Sequence, residues 1–342
     1  MGALGVLLLV CASLLVWSAR WHWAGELAAS FAWYLGLAGV LGALLLLCTE
    51  RRRLAGFACL LSILHCGPEL MLWIPSSAPS RRPSQTLTIA TSNLLWHNRD
   101  YEALAQWIER NDPDIIAFQE VSPHSRDVLL AMSKGYPHMV FEPPLEDWDS
   151  LTWGLAILSK APLKNQRRVP IEGTPWKGIL EVQAQLDGEP LLLRNMHPTR
   201  PGGSARNAER NAALHAAQSA TWGGRSLLLG DLNVTSTSPI FSDLLAATGL
   251  RDSRQGFGRQ PTYRIKQPLP GLMVAIDHVL VSDQIEVLER RVEELPGSDH
   301  LSLVLEIQGV PRTGVLEAER ALPGASDSKS RGVQVLAPRR QL

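Results

Sequence analysis

Apolar residues are crowded into the first quarter of this 342-residue chain, and that crowding restricts what the quarter can become. Three apolar stretches precede Pro75: Gly2 to Trp17, Leu27 to Cys48 and Leu54 to Ile74. In hydrocarbon every backbone N–H and C=O must be satisfied within the protein, so a lone apolar segment has only the helix available to it. At about 1.5 Å per residue, the second and third stretches are long enough to cross a core roughly 30 Å thick. The first is shorter, in the range of a signal-peptide core, but it lacks a positively charged start. Leu-Leu-Val ahead of Cys11 is also a poor lipoprotein cleavage site, where a small residue is expected. Three membrane-spanning helices over residues 1–75 are therefore expected.

Loop charge sets the expected orientation. The short loop Glu50-Arg51-Arg52-Arg53 is the strongest positive cluster in this region and belongs on the cytoplasmic side under the positive-inside rule. The loop from Arg20 to Glu26, with Trp21 and Trp23, then lies at the outer interface, and everything after Pro75 is extracytoplasmic. Arg81 and Arg82 stand against the rule on that side. His65 and Glu69 fall within the third stretch. Ionisable residues in a span are functional candidates by default; here a structural part is expected, with Glu69 near the outer end and its carboxylate at the interface.

Residues 76–86, rich in Ser, Pro and Arg, read as a linker. About ten extended residues reach roughly 30–35 Å, which keeps the following domain near the bilayer. From Leu87 strand and helix patterns mix. Strands are expected at Leu87–Leu95, Asp114–Val121, Thr152–Leu158, Leu180–Leu186, Leu191–Met196, Ser226–Asp231, Ala275–Ser282, Ile285–Arg291 and Leu301–Ile307. Helices are expected at Tyr101–Asn111, Ala205–Trp222 and Pro239–Thr248. Residues 87–310 thus suit one mixed α/β domain, and residues 311–342, rich in Gly, Ala, Ser, Pro and charge, read as a disordered tail. All four cysteines (Cys11, Cys48, Cys59, Cys66) lie in the apolar quarter, so the α/β domain holds neither a disulfide framework nor a cysteine zinc site. Thirty-three Lys and Arg balance 33 Asp and Glu, without the global basic excess of a dedicated nucleic-acid binder.

The chemistry surfaces where hydrophobic strands end in groups that fit no core. Asn93 ends the first strand, Gln119 and Glu120 end DIIAFQE, and Asn195 and His197 end LLLRNMH. Asp231 and Asn233 end LLLGDLN, Asp277 and His278 fall in AIDHVLV, and Asp299 and His300 open the last strand. One such residue is ordinarily a turn former or helix cap, and Asn233 before Val-Thr-Ser-Thr-Ser-Pro suits a cap. Six strand ends with the same habit point to one ligand site at one end of the strands. Several carboxylates with Asn and His side chains and no Cys describe an oxygen-rich site for a hard cation, Mg²⁺ or Mn²⁺ rather than Zn²⁺. An Asp–His pair adds proton chemistry, because the carboxylate fixes the imidazole tautomer. The set is complete for metal-assisted hydrolysis of a phosphoester.

In this order, TSNLLWHN, DIIAFQEV, GLAILSK, NMHP, LLLGDLNVTSTSP, AIDHVLVS and GSDHLSLVLEI resemble the endonuclease/exonuclease/phosphatase superfamily over about Leu87 to Gln308. The resemblance implies a four-layered α/β sandwich, two mixed sheets face to face with helices outside. It implies Glu120 as the principal Mg²⁺ ligand with Asn93 beside it and Asp299 supporting the metal region. His300, oriented by Asp277, becomes the base or the phosphate-polarising imidazole; Asp231 positions or activates the water; Asn233 and His197 hold phosphoryl oxygens. Whether Asp231 or His300 takes the proton stays open. His278 replaces an aromatic residue of many relatives and is read as a strand residue.

Three N-terminal spans before this domain are similar to the membrane-bound bacterial branch that includes VanJ and YafD-like proteins. That likeness implies a multi-pass protein of the bacterial inner membrane with a periplasmic site for a lipid-linked phosphate or pyrophosphate of the undecaprenyl type. Arg200, Arg206 and Arg210 are candidate phosphate clamps, or, for Arg206 and Arg210, one solvated helix face. The alternatives are an extracytoplasmic nuclease, with Lys160–Arg168 as its basic track, and a non-catalytic binding module. Trp148, Trp153 and Trp176 are candidates for lipid or base contact or for packing. No protein partner can be inferred.

Overall fold

In a computed structural model of the chain, residues 2–75, 85–148, 153–266 and 270–310 are described. Most of the expected linker with Arg81 and Arg82, the strand start at Thr152 and the tail at 311–342 lie outside these residues.

The apolar quarter is helical throughout. Helices α1 (Gly2–Trp17), α2 (Trp23–Ala29), α3 (Ala32–Cys48) and α4 (Arg52–Met71) follow one another. Gly2–Arg20 and Arg52–Met71 are long and apolar enough to cross a membrane, and α2 with α3 qualify together as a pair bent by 65°. The continuous helix expected over Leu27–Cys48 is thus broken. The N–H groups of Ser30 and Phe31 turn back to the carbonyls of Leu27 and Ala28 and close α2. Within the bundle, Gly36 lets α3 approach α4, since a side chain there would run into Cys66. His65 is bonded to Ser13 Oγ at 2.8 Å and its ring faces Trp17.

The remaining chain is the four-layered sandwich. One sheet has the order β13-β14-β1-β2-β4-β3, from β1 (Thr86–Asn93), β2 (Ile115–Val121), β3 (His138–Glu142), β4 (Gly154–Ser159), β13 (Ile285–Glu294) and β14 (Leu301–Gly309). The other has the order β5-β6-β7-β8-β12-β9, from β5 (Lys164–Pro170), β6 (Gly178–Leu186), β7 (Glu189–Asn195), β8 (Arg225–Asp231), β9 (Arg251–Asp252) and β12 (Asp277–Val281). A short ribbon, β10 (Tyr263–Arg264) and β11 (Met273–Val274), stands apart from both. Helices α5 (Tyr101–Asn111) and α6 (Pro123–Ala131) cover the first sheet; α7 (Ser204–Ser219) and α8 (Pro239–Thr248) cover the second. Alternate residues of facing strands, among them Ile89, Ile157, Val182, Leu193, Leu229 and Leu305, fill the space between the sheets.

Strand direction gathers the polar ends. β1 runs parallel to β2 and β7 parallel to β8, so all four finish at one edge. β12 and β14 run antiparallel to β8 and β1 and therefore begin at that edge, with Asp277 directly opposite Asp231. Just beneath, Gln119 Nε2 donates to Asn195 Oδ1 at 2.8 Å across the two sheets. Asn195 Nδ2 donates to the carbonyls of Phe118 and Ala156 at 2.9 and 3.1 Å. Gly230, at φ +129°, leaves room for this pair, because a Cβ there would run into the Met196 carbonyl and crowd Asn195.

Strands β3 and β5 and helix α6 were not expected from the sequence. The basic segment Lys160–Arg168 contributes β5, an exposed edge strand. Gly230→Ala must shift that backbone or abandon the positive φ, at a cost of about 2–3 kcal/mol. The purified variant should melt lower than wild type by roughly 5–10 °C; an unchanged melting temperature would show that the close approach is not needed.

Candidate active site

The site is organised around one carboxylate oxygen. Asp231 Oδ2, at the end of β8, lies 3.1 Å from Asn93 Nδ2 and 3.4 Å from Asn233 Nδ2. His197 Nε2 is 3.4 Å from the same oxygen and His300 Nε2 is 3.7 Å from it. The second oxygen accepts the Asn233 backbone N–H at 3.0 Å. Asn233 sits at φ +50°, and its amide also donates to the Pro198 carbonyl at 3.0 Å.

Glu120 stands across from Asp231. Its backbone is left-handed (φ +52°) at a bulge where the β2–β4 register shifts between Phe118 and Val121. A bulge re-aims a side chain that regular alternation would send elsewhere. Here it brings Glu120 Oε1 to 3.1 Å from Asn93 Nδ2 and 3.7 Å from His197 Nε2. Oε2 accepts the Trp96 N–H at 2.9 Å. Asn93 itself is oriented by accepting the Leu95 N–H at 2.9 Å.

His300 turns Nδ1 to Asp277 Oδ2 at 2.8 Å and so points Nε2 at Asp231. The ring of Tyr263 packs on it, 4.8 Å between centroids. Ser298 holds the turn, accepting the His300 N–H at 3.1 Å and donating to the Asn93 carbonyl at 2.8 Å. Burial works against charge throughout this cluster, but the facing groups overcome it at two positions. The imidazoles of His300 and His197 and the Asn233 N–H draw Asp231 down to about 2. Asp277 and Asp231 push His300 up to about 10, toward its imidazolium form. For Asp277 burial prevails and its carboxyl is raised.

Glu120, His197, Asp231, Asn233 and His300 open onto a cavity of about 430 Å³ that is also lined by Trp96, Trp153, Lys177, Arg200, Arg206 and Asp299. Oxygen donors predominate, and while Lys266 pairs with Asp299 Oδ2 at 3.4 Å, Asp299 Oδ1 is buried without a hydrogen-bond partner among the described residues, an anionic atom that a cation would satisfy. The residues present therefore fit a hard divalent ion. Asp231, Asp277 and His300 also lie close enough together to suggest a metal cluster. Their geometry favours proton chemistry instead, because His300 Nδ1 and Asp277 Oδ2 already occupy each other and Mg²⁺ prefers oxygen.

The Endonuclease/Exonuclease/phosphatase family profile matches residues 90–300. The chain belongs to this family. Its members hydrolyse phosphoester bonds. Among solved structures the chain is similar to an endonuclease/exonuclease/phosphatase from Beutenbergia cavernae, at 20% identity and TM-score 0.52, over 66% of this chain and 72% of that one. It is similar to the 3′ phosphatase NExo from Neisseria bound to a product DNA hairpin, at 18% identity and TM-score 0.52, over 64% and 98%. Truncated TDP2 from Caenorhabditis elegans is similar at 16% identity and TM-score 0.51, over 66% and 98%. At these identities the likeness is one of fold. No curated protein matches the chain in sequence.

Of the residues singled out in this family member's sequence, Asn93, Glu120, His197, Asp231, Asn233, Asp277, Asp299 and His300 come together at one strand edge. Arg200 and Arg206 line the cavity, with Arg200 5.8 Å from the Tyr263 ring. Arg210 is a correction. It is neither a phosphate clamp nor on a solvated face, because α7 turns it inward to donate to Glu26 at 2.7 Å, with only 1% of its side chain exposed. Glu69 likewise does not sit at an interface with solvent: it is buried against Ser236, Arg254 and Arg259. Trp148 packs on Phe141, whereas Trp153 meets Trp96 at the cavity and Trp176 is exposed beside it.

Lys177 and Tyr263 were missed. Lys177 precedes a strand rather than ending one, and Tyr263 lies in a two-residue strand with no periodic pattern. Lys177 donates to Thr199 Oγ1 at 2.9 Å, and burial lowers its pKa while Glu209, Glu120 and Asp231 oppose the shift.

His278 points away from the cavity, bonded to the Val234 carbonyl at 2.8 Å and packed on Phe241. Burial, aided by Arg254, lowers it to about 4. The unfolded imidazole, near 6.5, binds protons that the folded one rejects, so its contribution is complete above that value and is lost as pH falls toward about 4. The stability gap between wild type and His278→Asn should therefore narrow by on the order of 3 kcal/mol between pH 7 and pH 4. A pH-independent gap in paired denaturation curves would contradict a neutral, buried His278.

Proposed function

We propose that this chain is a membrane-anchored, Mg²⁺-dependent phosphoesterase that hydrolyses a lipid-linked phosphate or pyrophosphate, of the undecaprenyl pyrophosphate type, outside the cytoplasm. One observation carries the hydrolytic reading: Asp231 Oδ2, on the wall of the cavity, faces two imidazole Nε2 atoms and two carboxamides at 3.1–3.7 Å. The apolar helices and the resemblance to the membrane-bound VanJ and YafD-like branch support the lipid substrate and the periplasmic side of a bacterial inner membrane.

Glu120, Asn93 and Asp299 would hold Mg²⁺ or Mn²⁺, which when bound supplies positive charge to the phosphoryl oxygens. The other steps belong to side chains. His300 presents an Nε2–H to a phosphoryl oxygen, its Nδ1 fixed by Asp277. Asn233 and His197 donate to the remaining oxygens as negative charge builds on them. Asp231, anionic and ringed by donors, would align the water and take its proton as the new P–O bond forms and the P–O bond to the leaving lipid-borne oxygen breaks. Lys177, Arg200 and Arg206 line the cavity with basic groups, a fit to a substrate carrying more than one phosphate.

A nuclease is the second reading, since NExo, similar to this chain in fold, holds a product DNA hairpin. The basic segment it would use is largely neutralised. Arg167 pairs with Glu181, Arg168 with Glu142 at 2.5 Å, and Lys160 with Asp112 at 2.7 Å. A non-catalytic module would be expected to lack part of the constellation.

Purified full-length protein with Mg²⁺ should release phosphate from undecaprenyl pyrophosphate in detergent, and EDTA should stop it. Glu120→Ala and His300→Ala should each lower the rate at least about a hundredfold while leaving the protein folded. Cleavage of single-stranded DNA without release from the lipid would overturn the lipid reading, and turnover near wild type in either variant would overturn the site. Lys177→Met should reduce kcat/KM by about tenfold, with the larger loss on a pyrophosphate than on a monophosphate; equal kinetics on both would remove Lys177 from substrate binding.

A further inference from the structure

The loop that links Asp231 to α8 carries Asn233 and then a run of hydroxyl side chains, and the N-terminal helices grip that run. Glu26 of α2, 3% exposed, accepts from Arg210 Nη1 at 2.7 Å with one oxygen and from Ser238 Oγ at 2.8 Å with the other. Arg210 Nη1 also lies 3.4 Å from the Asn233 carbonyl, so one guanidinium joins Glu26 to the backbone of a site residue. Thr237 Oγ1 donates to the Ala29 carbonyl at 2.6 Å. Ser236 Oγ donates to Glu69 of α4, which is 5% exposed and also faces Arg259 Nε at 3.3 Å and Arg254 Nη1 at 3.6 Å.

A buried carboxylate is costly unless paired and hydrogen-bonded. Both of these are, and their partners all belong to the α/β domain. Ser238 caps α8 as well, accepting the Ile240 N–H at 3.3 Å, so the loop is pinned at its far end. Asn233 meanwhile holds a left-handed backbone, a conformation that persists in a non-glycine residue only when the surroundings impose it.

We infer that Glu26 and Glu69 are positioning residues for the 231–238 loop, so that the apolar helices form part of the support of the active site as well as an anchor. This rests on the hydrolytic reading of the site. Removing either carboxylate frees the loop, moves the Asn233 amide relative to Asp231, and lowers turnover without removing any group that touches substrate.

The test uses the full-length protein in detergent with Mg²⁺ and a small soluble aryl phosphodiester, so that access from a bilayer plays no part. Glu26→Gln and Glu69→Gln should lower kcat by about ten- to hundredfold, the range expected for a misplaced catalytic group, with KM little changed. Hydrogen–deuterium exchange at residues 232–238 should rise in both. Arg20→Ala, which breaks an exposed pair with Asp243 between the same two regions, should leave both readouts at wild type. If the glutamine variants fail to fold, Ser236→Ala combined with Ser238→Ala removes the two hydroxyl grips while leaving the guanidinium pairs in place, and should give the same two changes in smaller measure. Unchanged exchange, or raised exchange with wild-type kcat, would overturn the inference. A wild type inactive on both this ester and undecaprenyl pyrophosphate would instead remove the hydrolytic reading, and exchange would still report on the grip.

Discussion

Two sheets packed through apolar side chains alone can slide, and the hydrogen bond from Gln119 to Asn195 pins them where sliding would matter. Leucine, valine and isoleucine between the sheets are non-directional partners, and burying each contributes about 1.5–3 kcal/mol in many nearly equivalent arrangements. The Gln119–Asn195 pair has one good geometry, and losing either partner would leave buried amides and carbonyls unmet. Glu120 follows Gln119 directly and His197 follows Asn195 by two residues. The bond therefore sets the distance between the two halves of the site, and Gly230 is the residue whose missing side chain lets it form.

From that fixed point the site is finished by strained backbone. Glu120 and Asn233 are both left-handed, on opposite sheets, and each aims a polar group at the cluster that regular strand geometry would send elsewhere. Asp231 gathers four nitrogen donors about one oxygen, and the opposing pulls on its carboxyl and on His300 follow from their facing each other in a place where water is scarce. The neighbours are thus what determine each group's charge state, and the neighbours are set by the sheet pairing.

Much of this was legible in the sequence because strand endings are local signals. Asn93, Glu120, Asp231 and His300 each follow or open an apolar run, and parallel strands with antiparallel partners must bring those ends together. What escaped notice lacked such a marker. Lys177 lies just before a strand, Tyr263 lies in a segment too short for periodicity, and β5 is an edge strand whose exposed basic residues resemble a loop. Arg210 was misread for another reason. Its one-turn spacing from Arg206 suggests a shared face, but α7 is amphipathic, and the turn that leaves Arg206 at the cavity directs Arg210 into the protein.

The partner that Arg210 finds there, Glu26, lies 184 residues away, and no local pattern joins them. The same holds for Glu69 and Ser236, separated by 167 residues. In an apolar helix a carboxylate reads as an anomaly to be placed at an interface with water. Here water is replaced by guanidinium and hydroxyl groups from the folded domain, which satisfy the charge more specifically than a headgroup region would. The bend that splits α2 from α3 then acquires a physical reason: a straight helix from Leu27 would continue the apolar bundle, whereas the break turns Glu26 toward Arg210 and Ser238. The apolar quarter is thereby shaped by the domain that follows it as much as by packing among its own helices.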